Sequence, residues 1–460
     1  MAIIVPSPHS GCPVRVREQD VGRAVRDESG RIFYPLPKRE GDGHYGALTR
    51  TGSDEQEERC AEMGEAYQRQ PPAESPSVEA HDATGPGRRR RPVVWLISLA
   101  KVKAARRAII YLLFLAVCLE VGARVILSSK LIGSLVQGNH DYGHRQGWLN
   151  RRRSQPSDTA IAYEFDEYHQ ELGWKLKSHV RDLLVWDGKS LNTNSRGLRG
   201  STEYPYDRVP NRIRIAVLGD SFTFGEEVSD HETFCAWLER LIPDSEVLNF
   251  GNHGYGHDQM LIYFRSEVRR YSPDIVILGF VTMDMERNLH SFKDYAKPRF
   301  ELDKGRLVPR NLPVPPPEHF LRSDWYRCKL FDLFAIIIET LRWKSGSMEP
   351  ELFQLTGAIL GDLADEVSQI KARPVFVFFP VLGLIGDTGP RPSNSERFLM
   401  DFCVQRDGLE GLSLQPRFDA EYRKGSALER KYHWNAYGHA VAAAEIKRFL
   451  EAKNLIPAHP

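Results

Sequence analysis

The stretch "IRIAVLGDSFTFGEEV", Ile213–Val228, decides how this chain is read. An apolar run, Ile213–Leu218, is short enough to be one strand of a sheet covered on both faces. It stops at Gly219-Asp220-Ser221. Sites in open α/β sheets gather at the carboxyl ends of strands. A serine in this turn has its hydroxyl above the sheet, and its backbone N–H opens the next helix as an oxyanion donor. The same residues also suit a plain helix start, with Asp220 or Ser221 as the cap. This segment alone leaves both readings open.

Working outward, the pattern repeats. Further strands are expected at Val247–Phe250, Ile275–Val281 and Val375–Phe379, and amphipathic helices at Glu232–Leu241, Gln259–Tyr271, Leu352–Ile370 and Asn435–Leu450. Short apolar strands separated by helices predict an α/β three-layer sandwich around a parallel sheet. The stretch "KPRFELDKGRLVPRNLPVPPP", near 297–317, reads as a hairpin insertion ending in extended prolines.

Two other pieces carry chemistry. "VLNFGNHGYGHDQ" ends a strand in a Gly-rich turn, where the backbone can approach a ligand and the Gly254 N–H is a second oxyanion donor; a tight turn is the alternative. "KYHWNAYGHAVAAAEIKRFL" places His433 in the loop before the last helix, as general base to a serine or as a satisfied surface histidine. His439, inside that helix, reads as structural.

Together these blocks resemble the SGNH/GDSL hydrolase superfamily. "GDSFTFG" is similar to its nucleophile block, "NFGNHGYG" to its second and "HWNAYGH" to its last, in the same order. The resemblance covers roughly 163–453. It implies a flavodoxin-like sheet, Ser221 as nucleophile, His433 as base, the N–H groups of Ser221 and Gly254 as oxyanion hole, and no metal or organic cofactor. "ELGWKLK", "NTNSRGLRG" and the insertion near 297–317 also look like a membrane-anchored bacterial branch.

The pattern breaks twice. In "LGFVTMDMERN", Asp284 matches the third block's aspartate, so Met283 stands where that block supplies an asparagine donor. A thioether does not donate; Thr282 or Asn252 is the expected substitute. In the last block, Arg430 stands three residues before His433, where an aspartate belongs. Glu429 is the expected acid partner, or a backbone carbonyl behind a Ser–His dyad.

The remaining sequence sets the context. With 62 basic and 61 acidic residues among 460, nothing global argues for nucleic acid. The six cysteines show no metal-ligand spacing and read as mostly free thiols, with a Cys328–Cys403 bridge left open. Residues 1–92, rich in Gly, Pro and Arg, are expected to be disordered, or to stem from a misplaced translation start. A membrane helix is expected at 107–128, with Glu120 and Arg124 paired at i,i+4 on one face. Arg88–Arg91, Lys101, Lys103, Arg106 and Arg107 precede it, which puts the N-terminus in the cytoplasm and the larger part outside.

The function expected is therefore a single-pass, extracytoplasmic serine esterase or acyltransferase. Its partner is an ester substrate, an O-acyl group of a cell-envelope carbohydrate. The alternative is a catalytically weak domain of the same fold that binds polysaccharide or scaffolds an envelope assembly. A third reading is an unrelated α/β binding domain with a chance Gly-Asp-Ser turn.

Overall fold

The computed structural model describes residues 2–7, 13–17, 20, 25–27, 31–37, 45–49, 93–128, 140–155, 161–381 and 392–457. They fall into two units, Met1–Leu96 and Ile97–Pro460. In the first, part of the segment expected to be disordered forms short strands. Ala2–Pro6 pairs with Pro13–Arg17, and Ile32–Pro37 pairs with Val25–Arg26 and Tyr45–Thr49. Alternation of apolar and charged residues in "PVRVR" suits a strand, a local signal that averaged composition hides. Residues 50–92 lie outside the described residues.

The second unit is ordered along the chain as follows. Helix α1 (Val93–Ser128) and helix α2 (Asp141–Ser154) precede the sheet. Then come β1 (Ile213–Leu218), α3 (Ser221–Phe224), α4 (Phe234–Leu241), β2 (Ser245–Asn249), α5 (His257–Ser266), β3 (Ile275–Phe280) and α6 (Thr282–Arg287). They are followed by α7 (Lys329–Lys344), α8 (Met348–Gln369), β4 (Arg373–Phe378), α9 (Asn394–Val404), β5 (Glu410–Ser413), α10 (Gln415–Arg423) and α11 (Ala436–Ala452).

The five strands of the central sheet are all parallel, in the order β2-β1-β3-β4-β5. That is the flavodoxin-like order, with its switch point between β1 and β3. Period-2 alternation splits each strand between two cores. Ala216, Leu218, Val276, Leu278 and Phe376 pack against α5, α8 and α9. Ile215, Val217, Ile277, Val375 and Val377 pack against α4, α10 and α11. The expected hairpin near 297–317 is present as Arg299–Asp303 paired with Arg306–Arg310.

α1 has the length and composition to cross a membrane over Val102–Ser128, where the most apolar window has a mean hydropathy of 2.2. Arg124 and Glu120 form the expected i,i+4 ion pair at 2.8 Å. Cys328 and Cys403 are free thiols, as are Cys118 and Cys235.

Candidate active site

Strand β1 ends at Leu218, and two residues later the chain turns into α3 with Ser221 as its first residue. The cap is Asp220: its Oδ1 accepts from the Phe222 N–H at 3.0 Å. Ser221 is thereby released from capping, and its Oγ is hydrogen-bonded to His433 Nε2 at 2.8 Å across 212 residues of sequence. Ser221 is buried at 5% exposure, at the bottom of a turn rather than on an open surface.

His433 is held by the two residues that follow it. Trp434 is fully buried, and its Nε1 donates to the Pro380 carbonyl at 3.1 Å. Asn435 is the N-cap of α11 and accepts from the Gly438 N–H at 2.9 Å. The imidazole also rests against the Phe222 ring, with centroids 4.9 Å apart. His439 is structural as expected: its Nδ1 accepts from the Phe234 N–H at 3.1 Å, and burial lowers its pKa to about 3.

The carboxylates set against the imidazole come from the segment that carries Ser221. Glu227 Oε1 lies 3.8 Å from His433 Nδ1, and Glu226 Oε2 lies 3.6 Å from Nε2. Glu227 is buried, and its Oε2 accepts from the Lys431 N–H at 3.0 Å. Its backbone is left-handed, φ 67°, a conformation that costs a non-glycine residue about 1–3 kcal/mol and clusters at functional sites. Burial raises the Glu226 pKa, against the opposing pull of His433 and His253. Glu429, the expected acid partner, forms an antiparallel bridge with Trp434. Arg430 donates to the Trp186 carbonyl at 2.8 Å and pairs with Asp187 at 3.1 Å, so its guanidinium is taken up on the surface.

The second block supplies the loop after β2. Gly254 has φ 68°, and a Cβ there would meet Asp294 Oδ2 at 2.1 Å. A Cβ at Gly251 would lie 2.2 Å from the Phe224 nitrogen, so the loop and α3 touch backbone to backbone. Between these glycines, His253 is fully enclosed, with Nε2 2.7 Å from Asp166 and Nδ1 3.4 Å from Asp294. Burial opposes its charge, but the two carboxylates prevail and hold its pKa up to about 10. A fixed imidazolium therefore sits beside Gly254.

Arg287 ties the blocks together. Its Nη1 donates to Asp220 Oδ2 at 3.0 Å, to Asp284 Oδ1 at 2.5 Å and to the Tyr255 carbonyl at 3.0 Å. Burial and then the nearby Asp220 charge push the Asp284 carboxyl well up. Asp284 thus braces the Ser221 turn through an arginine.

The two expected stand-ins for the missing asparagine differ. Thr282 is hydrogen-bonded to Ser395 at 2.7 Å, and both line a cavity of about 470 Å³ with Met285, Phe353, Phe378 and Gln415. Asn252 is buried on the loop that carries Gly254, its N–H donates to the Gly219 carbonyl at 3.1 Å, and its Oδ1 has no hydrogen-bond partner. Met283 is 37% exposed. Among the described residues, no group of three or more His, Cys, Asp or Glu is arranged to hold a metal.

No family model and no curated protein matches the chain. Solved structures do. One is a two-domain esterase active on acetylated mannans, 17% identical with TM-score 0.31, covering 54% of this chain and 52% of that one, so about half of its length is spanned. TesA is 12% identical with TM-score 0.32, covering 52% and 98%. The acetyl xylan esterase AlAXEase is 12% identical with TM-score 0.33, covering 52% and 100%. At these values the likenesses assign neither reaction nor substrate.

Proposed function

We propose that the chain is a membrane-anchored SGNH-type serine esterase or acyltransferase. The observation that carries this is the 2.8 Å bond between Ser221 Oγ and His433 Nε2, with Asp220 rather than Ser221 capping the helix. Ser221 Oγ attacks the acyl carbonyl carbon while its proton passes to Nε2. The N–H groups of Ser221 and Gly254, joined by the Asn252 amide, hold the oxyanion. His433 then protonates the leaving alkoxide, and the acyl group stays on Ser221. Water or a sugar hydroxyl, deprotonated by His433, attacks that ester and regenerates the serine.

We assign the acid role to Glu227 in place of Glu429. Its carboxylate faces Nδ1 while the Lys431 N–H fixes its other oxygen, which keeps Nε2 free to accept the serine proton. A general base–orienter contact in a ligand-free site is often long and tightens with substrate.

α1 is the proposed anchor, with the basic residues before it on the cytoplasmic side and the hydrolase domain outside. There, O-acylated envelope carbohydrate is the substrate class within reach. Met283 favours a second reading, a polymer-binding domain with little turnover, since loss of one oxyanion donor costs about 100- to 1000-fold.

One experiment separates them. The full chain, in detergent, is treated with a fluorophosphonate probe and assayed with p-nitrophenyl acetate. Labelling and turnover are expected in the wild type and lost in Ser221→Ala and His433→Ala, with melting temperature little changed. A folded wild type that takes no label, or labelling that persists in Ser221→Ala, would defeat the esterase reading.

A further inference from the structure

Helix α7, Lys329–Lys344, is built inside out. A helix on a water-soluble domain buries its apolar stripe and shows charge to solvent. Here Lys329 and Asp332 are buried. Lys329 pairs with Asp324 at 2.8 Å and Asp332 with Arg145 of α2 at 3.0 Å. Two turns further on, Glu339 reaches His140, the cap of α2, at 2.9 Å. The opposite face carries Phe331, Phe334, Ile338 and Leu341, each more than half exposed, and Ile337 beside them. Spacings of three, four and three residues make them one stripe. Just before the helix, Trp325 and Tyr326 are exposed as well.

The identity of what covers this stripe follows from where α7 begins. Glu120 of α1 accepts from the backbone N–H groups of Lys329 at 3.0 Å and Leu330 at 2.9 Å, and from the Cys328 thiol at 3.2 Å. Arg124 of α1 donates to the Arg327 carbonyl at 3.1 Å. The first turn of α7 is thus capped by the carboxylate that interrupts the apolar surface of the span. α7 starts at the level where α1 stops being purely apolar. At about 1.5 Å per residue it is about 24 Å long, short of the roughly 30 Å hydrocarbon core. With two ionised residues fixed to α2, it cannot cross. A helix with this face, led by exposed aromatics and ending in Arg342 and Lys344, lies along an interface.

We infer that α7 is an interfacial helix, its Phe331–Leu341 stripe set into the headgroup–acyl boundary of the same membrane that α1 crosses. This rests on the reading of α1 as a membrane span and adds a second, lateral contact to it. Charge is kept inward because α2 neutralises it, and apolar area is turned outward because lipid covers it. The hydrolase domain is then seated on the bilayer in one orientation.

Photo-crosslinking of the full chain tests this. p-Benzoylphenylalanine replaces Phe334 or Ile338 on α7, Phe114 on α1, or Val404, an exposed surface control at the end of α9. Each protein is reconstituted in phosphatidylethanolamine–phosphatidylglycerol vesicles and irradiated, and adducts are identified by mass spectrometry. Lipid adducts are expected at 114, 334 and 338, well above the level at 404. An adduct at 114 with none at 334 and 338 would overturn the interfacial placement while leaving the span intact. Adducts of 334 or 338 with a second polypeptide would overturn it in favour of a protein-covered face. No adduct at 114, 334 or 338 would defeat the span and the interfacial helix together.

Discussion

Ser221, His433 and Glu227 define a test at single-residue resolution. Glu227→Gln removes the charge facing Nδ1 but keeps the side chain's size and its contact with the Lys431 N–H. Turnover of p-nitrophenyl acetate is expected to fall on the order of 10²–10⁴-fold, with melting temperature nearly unchanged. Glu429→Gln is expected to leave turnover near wild type; a larger loss there than in Glu227→Gln would return the acid role to Glu429. Asn252→Ala is expected to lower turnover about 100-fold with little effect on KM, the mark of a donor used only in the transition state. Thr282→Ala, which breaks a bond to Ser395, should not. That Ser221 and His433 meet was legible because each stands at the end of a recognisable element. The nearness of Glu227 was not: no periodicity or spacing marks a carboxylate six residues after a serine, and the family pattern directs attention to the last block. His253, Asp166 and Asp294 escaped for the same reason, as three distant segments meeting only in the folded chain.

At the scale of the element, the N-terminus of α11 sets the base. Asn435→Ala removes the cap accepting from Gly438 and should cost about 1 kcal/mol, within a range of roughly 0.5–2. It should also lower turnover, because the same residue fixes the backbone beside His433. Thermal melting and kinetics on one preparation check both, and unchanged turnover would mean that Trp434 alone positions the imidazole. Four of the five sheet strands were readable as apolar runs. The fifth, "EGLS" at Glu410–Ser413, was not. Among the described residues it is an edge strand paired only with β4, and at Gly411 a Cβ would crowd Cys403, so little of it needs to be apolar. α7 was also missed, since a stripe facing outward does not mark a soluble core.

For the molecule as a whole, two buried histidines on α5 and α11 and one in the site loop shape stability against pH in opposite directions. Burial lowers His257 and His439 to about 3, from 6.5. Their stabilisation is complete above about 6.5 and is lost as pH falls toward 3, at up to about 1.4 kcal/mol per pH unit for each. His253, raised to about 10, contributes stability that is full below 6.5 and lost as pH climbs through 10. His439→Gln is expected to flatten the fall of melting temperature between pH 6.5 and 4, and an unchanged slope would show that other groups set it. Ser221, Glu226 and Glu227 belong to a single seven-residue piece next to Asp220, which Arg287 braces, whereas His433 arrives on the loop before α11. The contact between serine and imidazole therefore spans two separate segments, and its length is the distance of the α11 shoulder from the β1 turn. A displacement of that shoulder parts the pair while leaving the carboxylates beside the serine in place, and the imidazole resonances of His433 are its gauge.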